Sequence, residues 1–213
     1  MAPEQIETVL EAATRGEVFA YFGYGSLVNR STHRTEPFGA VRASVRGWRR
    51  RWQGRPEGGG EPISLLSVKP ESDPDHQLAG LLVFDRLENL PALDQRECDY
   101  LRRRIEPGSI AMSVELEVDV PIYIYEGMPE DSRNTGHGIL QSYLDAVLQG
   151  YLREYGPDAV RRFIAETHAF DNTPIFRDRD RPRYVRSVSL GEGEARLFDD
   201  ALAAHGVEWR DMP

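Results

Sequence analysis

The 213-residue sequence has the composition of an ordinary globular protein, with 40% hydrophobic, 9% aromatic and 29% charged residues. This composition excludes disorder along the whole chain, and the length is typical of one domain with a sizeable core. The single cysteine, Cys98, excludes a disulfide within the chain. A net charge of −9 argues against nucleic acid as the main partner.

The start of the sequence favours a cytoplasmic protein. Residues 1–17 carry acidic side chains where a signal peptide has a basic region. No apolar run in the sequence approaches the length of a membrane span. We therefore expect a cytoplasmic location and no membrane partner.

The apolar pattern of the first half predicts helices at both ends and strands between them. The helices are predicted over residues 4–14 and 87–100, and the strands over residues 18–22, 62–69 and 77–85. Pro91 should confine the regular part of the last helix to the residues that follow it.

The second half predicts two more strands, over residues 102–106 and 113–125, and then a long helix over residues 138–155. Asp158 begins another helix, and an irregular arm, a short strand and a final helix follow. Strands and helices alternate without regular βαβ spacing, and no long linker divides the chain. We therefore expect a single α+β domain with a mixed or antiparallel sheet.

The motifs of several common enzyme classes are missing from the sequence. Gly23 and Gly25 begin a dinucleotide-type motif, but Val28 stands where its third glycine is required. The five histidines show none of the usual zinc spacings, and no nucleophile elbow surrounds Ser26. The sequence therefore predicts neither a metal nor a cofactor.

Two segments are candidates for chemistry. The first predicted strand passes through small residues at 24–27, and such a junction presents successive N–H groups that can hold a carboxylate. In the second segment, Asp94, Glu97 and Asp99 lie within two turns of a predicted helix. A plain tight turn and a solvated acidic face are the alternative interpretations.

Four segments in a fixed order resemble the gamma-glutamylcyclotransferase family: FGYGSLV, LDQRECDY, IYIYEG and SYLDAVLQGYLREYG. The resemblance spans about residues 18–156. It implies a mixed or antiparallel sheet, or a partly closed barrel, with flanking helices. Residues 1–16 then form an N-terminal helical extension, residues 17–156 the core, and residues 157–213 a C-terminal helix with an arginine-rich arm.

The resemblance also implies a site and a reaction. In that family a glutamate after the middle strands is the acid/base, and this position is Glu97, which is followed by Cys98 where the family often has glycine. The YGSL-type loop of the family binds the substrate, and an aromatic residue often lines the pocket. By position, the substrate-binding residues are Tyr24, Gly25, Ser26, Leu27 and Tyr125.

The implied reaction belongs to glutathione metabolism and needs no cofactor. The alpha-amine of a gamma-glutamyl compound attacks its own gamma-carbonyl, in an acyltransferase- or lyase-type step that releases 5-oxoproline and an amine. Ring closure within one molecule needs mainly orientation, and one carboxylate can act first as base and then as acid. We expect the turn at residues 24–27 and Glu97 to face one cavity, because a small substrate must reach both.

Other interpretations stay open. A non-catalytic metabolite-binding protein on the same fold would pair Glu97 with an arginine at the surface, so the burial of Glu97 distinguishes the two. Cys98 as a nucleophile has no histidine at a motif spacing. The arginines at 46–55 with Trp48 and Trp52 resemble a single-strand nucleic-acid surface, but core tryptophans with solvated or paired arginines suit an acidic chain better.

The arm contains Arg177, Arg179, Arg181, Arg183 and Arg186, which alternate in part with aspartates. These charges pair with one another in solvent, close over the pocket, or pack against a second subunit in a homodimer. The group attached to the gamma-glutamyl unit is not specified by any motif.

Overall fold

The computed structural model describes residues 1–55, 62–128 and 137–212. Five α-helices lie in these ranges: α1 (Pro3–Thr14), α2 (Leu90–Arg96), α3 (Gln141–Tyr155), α4 (Pro157–Glu166) and α5 (Glu192–His205). Short 3-10 helices occupy Ser26–Val28, Arg30–Thr32, Leu87–Asn89 and Pro107–Ser109.

The same ranges contain eleven strands. They are β1 (Val18–Gly23), β2 (Gly39–Arg46), β3 (Trp48–Gly54), β4 (Ser64–Pro70), β5 (Gln77–Arg86), β6 (Tyr100–Arg104), β7 (Ile110–Met112), β8 (Ile122–Gly127), β9 (Ile139–Leu140), β10 (Ile175–Arg177) and β11 (Trp209–Asp211).

The residues form two compact units, and the chain passes from one to the other five times. The first unit comprises Met1–Tyr24, His33–Arg49 and Pro70–Glu126. The second unit comprises Gly25–Thr32, Arg50–Lys69 and Gly127–Pro213. The division of the chain at residues 16 and 156 stays a prediction.

The first unit is built on a six-stranded mixed sheet with the order β6-β8-β1-β5-β2-β7. The central strand β1 is buried along its whole length, pairs antiparallel with β5 and pairs parallel with β8. A Cβ atom at Gly80 would lie 2.2 Å from the carbonyl oxygen of Gly23, so glycine is required at this position of β5, beside the end of β1. The described strands β6 and β7 form open edges of this sheet.

The second unit is centred on α3, whose Leu144, Val147, Leu148 and Tyr151 are buried. A three-stranded sheet in the order β11-β10-β9 and the β3–β4 pair belong to the same unit. The side chain of Asn29 donates hydrogen bonds to the Ala146 carbonyl at 2.9 Å and to Gln149 Oε1 at 3.0 Å. These bonds attach the segment 25–32 to α3.

The predicted α+β class and mixed sheet are confirmed, and so are the helices near residues 4–14 and 138–155 and the helix that begins near Asp158. Two boundaries are wrong by four residues or more. The helix predicted over 87–100 ends as α2 at Arg96, after which the chain turns into β6. The strand predicted over 113–125 begins only at Ile122 in the structure.

Candidate functional site

Glu97 caps the C-terminal end of α2 and does not lie on a helix face. Its N–H donates to the Leu93 carbonyl at 3.0 Å, and its own carbonyl accepts the N–H of Tyr100 at 2.9 Å. Leu93 is buried and anchors the short helix to the first unit. These two hydrogen bonds hold the backbone of Glu97 at the turn between α2 and β6.

The Glu97 side chain lies in a mostly buried, charged environment. Only 15% of it is exposed, and its Oε1 accepts a hydrogen bond from Nε of Arg96 at 2.9 Å. Burial raises the pKa of the nearby Tyr21 hydroxyl well above its ordinary value. The carboxylates of Asp85 and Glu97 raise this pKa further, and Arg96 opposes them. The low exposure of Glu97 is expected of a catalytic carboxylate. Its arginine partner is expected of a carboxylate with a structural role.

Tyr24 and Tyr125 are joined in the first unit. The Tyr24 hydroxyl donates to the backbone carbonyl of Tyr125, and the Tyr125 hydroxyl donates to Oδ1 of Asp94 at 2.7 Å. Burial, followed by the hydrogen bond to Asp94, raises the pKa of Tyr125 far above its ordinary value. The two Oδ atoms of Asp94 serve different partners, because Arg102 donates to Oδ2 at 2.5 Å. Tyr125 is thus a neutral hydroxyl held in one orientation.

Three predicted binding residues lie in the first segment of the second unit: Gly25, Ser26 and Leu27. Gly25 precedes the 3-10 helix Ser26–Val28, in which the Val28 N–H donates to the Gly25 carbonyl at 2.9 Å. The Ser26 carbonyl accepts the N–H of Asn29 at 3.0 Å and the hydroxyl of Thr32 at 2.7 Å. Leu27 is buried, and Ser26 is partly exposed. The segment is therefore a hydrogen-bonded turn, and both interpretations, a plain tight turn and a carboxylate-binding turn, stay open.

Tyr143, which the sequence did not indicate as a site residue, lies beside this turn. A Cβ atom at Gly25 would lie 3.0 Å from the Tyr143 hydroxyl and 3.1 Å from Cδ2 of Leu66. The Tyr143 ring packs edge-on against Tyr184 at 5.0 Å and against Trp52 at 6.0 Å, measured between ring centres. Tyr143 belongs to the apolar stripe of α3, so its periodicity alone did not distinguish it from core residues.

The structure thus brings Tyr24, Tyr125 and Glu97 into the first unit and leaves Gly25, Ser26 and Leu27 in the second. Glu97 contributes to the electrostatic environment of the Tyr125 hydroxyl, as it does to that of Tyr21. The expectation that the turn and Glu97 face one cavity stays a prediction.

The segment that resembled a nucleic-acid surface contains structural side chains. Arg50 is only 3% exposed, donates from Nη1 to the Tyr151 hydroxyl at 2.5 Å and lies 4.7 Å from the centre of the Phe163 ring. Trp52 is buried, and Arg49 forms an ion pair with Glu71. These contacts agree with the interpretation of core tryptophan and paired arginine at positions 49, 50 and 52. Cys98 is exposed.

The described part of the chain lacks two kinds of feature. Within residues 1–55, 62–128 and 137–212, no three His, Cys, Asp or Glu side chains are grouped in a way that could hold a metal ion. No α-helix in those residues is both long and apolar enough to span a membrane.

The fold is found in proteins of known structure. The chain is similar to a structure described as a gamma-glutamyl cyclotransferase, with a TM-score of 0.50, 15% identity and coverage of 86% of this chain and 99% of the other. It is also similar to YkqA from Bacillus subtilis, with a TM-score of 0.50, 15% identity and coverage of 74% of this chain and 56% of YkqA. No family model and no curated protein matches the sequence.

These findings place the chain in the α+β structural class, with a mixed sheet and flanking helices. Its fold is that of the gamma-glutamylcyclotransferases, and the resemblance indicated by the four sequence segments is confirmed at the level of the fold.

Proposed function

We propose that this protein is a cofactor-independent enzyme of the gamma-glutamylcyclotransferase type. It converts a small gamma-glutamyl compound into 5-oxoproline and a free amine. The observation that carries the proposal is the position of Glu97, a largely buried carboxylate fixed at a helix end beside the Tyr24–Tyr125 pair. The four ordered sequence segments and the fold add independent support.

In the proposed reaction, Glu97 takes a proton from the alpha-ammonium group of the substrate. The freed amine attacks the gamma-carbonyl carbon, a new C–N bond closes the five-membered ring, and a tetrahedral intermediate forms. The bond to the departing amine then breaks, Glu97 returns the proton to that amine, and the ring nitrogen releases its second proton to solvent to give the neutral lactam. A single carboxylate suffices because the proton that it accepts is the proton that it later donates.

The proposed role of Arg96 is to orient Glu97. Its guanidinium is itself only 8% exposed and donates a hydrogen bond to Oε1 of Glu97 at 2.9 Å. A bound and oriented carboxylate avoids reorganisation during the reaction, which is the main benefit of a preformed site.

The proposed role of the turn Gly25–Leu27 is to bind the substrate alpha-carboxylate through backbone N–H groups. Backbone donors at the start of a helical turn suit an anion without an added basic side chain. The close packing of α3 and β4 at Gly25 supports this role, because a Cβ atom there would lie only 3.0 Å from the Tyr143 hydroxyl and 3.1 Å from Cδ2 of Leu66.

A non-catalytic binding protein on the same fold is the second candidate function. The observation in its favour is the ion pair between Arg96 and Glu97. Such a protein would bind gamma-glutamyl compounds or 5-oxoproline without converting one into the other, and Glu97 would act as a structural residue.

The experiment that separates the two functions is a turnover assay with a panel of substrates. We would incubate the protein with gamma-glutamylcysteinylglycine, gamma-glutamyl amino acids and gamma-glutamyl alkylamines, and measure 5-oxoproline by chromatography. Release of 5-oxoproline from at least one compound supports the enzyme. Saturable calorimetric binding of the same compounds without any 5-oxoproline supports the binding protein.

A further inference from the structure

A separate cavity of about 540 Å³ lies in the second unit, at the arginine-rich arm. Its lining consists of Gln141, Arg177, Asp178, Arg179, Asp180, Arg181, Arg183 and Met212. None of the six residues assigned to the proposed gamma-glutamyl site lines it. Its volume falls within the range of about 300–1,000 Å³ that is typical of small-molecule sites.

The wall of the cavity is fixed by Asp178. This buried carboxylate accepts the Ser142 N–H at 2.7 Å and the Ser142 hydroxyl at 2.5 Å, both at the N-terminal end of α3. It also accepts the N–H of Arg183 at 2.9 Å. Asp178 thereby attaches the arm to α3 and is fully occupied by protein donors.

Arg179 is likewise occupied by the protein. Its guanidinium is bound on two sides, by both carboxylate oxygens of Asp145 at 2.8 Å and by Asp199 at 2.9 Å. Burial raises the pKa of Asp145 even though Arg179 opposes the shift. Arg179 therefore contributes to the rigidity of the arm and offers little net charge to a ligand.

The other lining cations have different surroundings. Within the described residues, Arg177 and Arg181 form no ion pair with a carboxylate. The Arg177 guanidinium lies 5.2 Å from the centre of the Trp209 ring, which holds it in place by a cation–π contact without neutralising it. The exposed Asp180 is the one lining carboxylate besides Asp178. The lining thus has excess positive charge in a protein whose net charge is −9.

A buried neutral side chain completes the lining. Gln141, the first residue of α3, is only 7% exposed and contributes to the cavity. Among residues 1–55, 62–128 and 137–212, its carboxamide makes no hydrogen bond with the protein. An amide has both donor and acceptor atoms, so this side chain can bind a polar group in the cavity.

We propose that this cavity binds a small molecule that carries a multiply charged oxyanion, either a phosphoryl or a polycarboxylate group. Arg177 and Arg181 bind the anion, because guanidinium groups match the oxygens of phosphate and carboxylate with paired hydrogen bonds. Gln141 donates to or accepts from a polar group of the same ligand, and Met212 contacts its carbon skeleton. The site is independent of the proposed gamma-glutamyl reaction.

Isothermal titration calorimetry at low, constant ionic strength tests the proposal with pyrophosphate and citrate as probes. We expect saturable one-site binding of at least one probe to the wild-type protein. Binding of pyrophosphate alone identifies a phosphoryl ligand, and binding of citrate alone identifies a polycarboxylate. The double variant Arg177→Gln/Arg181→Gln should weaken binding by about a hundredfold, at about tenfold for each charged hydrogen-bonding partner.

Two further variants separate a built site from general attraction between charges. Gln141→Leu keeps the size and charge of the side chain and should weaken binding by about fivefold to tenfold. Arg161→Gln/Arg162→Gln removes two positive charges from the exposed face of α4 and should change affinity by less than about twofold. Thermal unfolding confirms that each variant is folded.

The proposal is overturned if neither probe binds to the wild-type protein. It is also overturned if the α4 double variant weakens binding as much as the arm double variant, or if Gln141→Leu has no effect. None of these results depends on 5-oxoproline release, so failure here and failure of the proposed function are distinguishable.

Discussion

The Tyr125 hydroxyl donates its hydrogen bond to Oδ1 of Asp94 at 2.7 Å, while Arg102 binds the other oxygen of the same carboxylate. Asp94 and Glu97 are three residues apart, yet they have different tasks. Asp94 holds an aromatic side chain, and Glu97 is held by Arg96. Replacing Asp94 would therefore disturb Tyr125, so the charge control for Glu97 must come from another position.

Glu97→Gln should abolish most turnover in the 5-oxoproline assay. The variant keeps the size of the side chain and its bond from Arg96 but removes the base, so kcat should fall by about two to four orders of magnitude. Glu88→Gln is the matched control, because Glu88 is exposed in the short 3-10 helix before α2. Parental activity in Glu97→Gln, or an equal loss in Glu88→Gln, would refute the assignment.

Gly25→Ala should destabilise the protein by about 1–3 kcal/mol, because the new Cβ would lie 3.0 Å from the Tyr143 hydroxyl and 3.1 Å from Leu66. Adding Tyr143→Phe removes the hydroxyl and should recover part of the loss in urea unfolding. Gly193→Ala is the control, since a Cβ in this part of α5 meets nothing within 4 Å and should stabilise the helix by about 0.5–1 kcal/mol. Independent, additive effects of Gly25→Ala and Tyr143→Phe would contradict the proposed contact.

Asp178→Ala should lower the free energy of unfolding by about 1–3 kcal/mol, because it leaves the donors of Ser142 and Arg183 without their buried acceptor. Asp180→Ala, at an exposed position in the same arm, should change stability by less than about 0.5 kcal/mol. Both values come from urea titrations monitored by tryptophan fluorescence. Similar losses in the two variants would show that Asp178 does not attach the arm to α3.

Glu71 should contribute to resistance against acid. Hydrogen bonds from the Asp73 backbone and from the Arg49 side chain lower the pKa of Glu71 from 4.5 to about 2. A carboxyl group with a lowered pKa stabilises the folded protein above its unfolded pKa, and this contribution disappears as the pH falls through the folded value. The stabilisation by Glu71 is therefore present above about pH 4.5 and is lost towards pH 2.

Urea titrations at pH 7, 4 and 2.5 measure this effect. The stability of Glu71→Gln should fall less steeply with decreasing pH than that of the wild-type protein. Glu117→Gln, at an exposed position in the first unit, should keep the wild-type profile. A wild-type slope in Glu71→Gln would show that the bonds to Arg49 and Asp73 do not persist in solution.

The helices of the second unit were the most predictable part of the fold. The apolar stripe of α3 and the Gly156–Pro157 stop that separates it from α4 are local signals, and local signals determine helices. The start of α3 was placed too early because Ile139 and Leu140 continue the same stripe. They form β9 instead, which pairs with β10 about 35 residues later in the chain.

The strand predicted over 113–125 was wrong for a different reason. Burial does alternate there, with Leu116 and Val120 buried and Glu115 and Glu117 exposed. Alternation determines which side chains face inward, but a strand also needs a neighbouring backbone to complete its hydrogen bonds. Among the described residues, paired strand structure begins at Ile122, where β8 lies between β6 and β1. The bond from the Ser113 N–H to the Arg42 carbonyl is an isolated one and does not extend into a strand.

The site was predictable only as far as its motif extends. Glu97 and the turn are candidates by resemblance, but the Arg96 partner of Glu97 and the closeness of Tyr143 to Gly25 are visible only in the structure. Arg96 is one of several arginines near Glu97 in the sequence, and no local pattern separates it from Arg102, which binds Asp94.

The interleaving of the two units along the chain has a consequence for the order of synthesis. When the ribosome has completed residue 126, every segment of the first unit has been made. The segments 25–32 and 50–69 have also been made, but their packing partners in α3 and α4 have not. We therefore expect the six-stranded sheet to form on the nascent chain, while the turn that begins at Gly25 acquires its final structure only after α3 has left the exit tunnel.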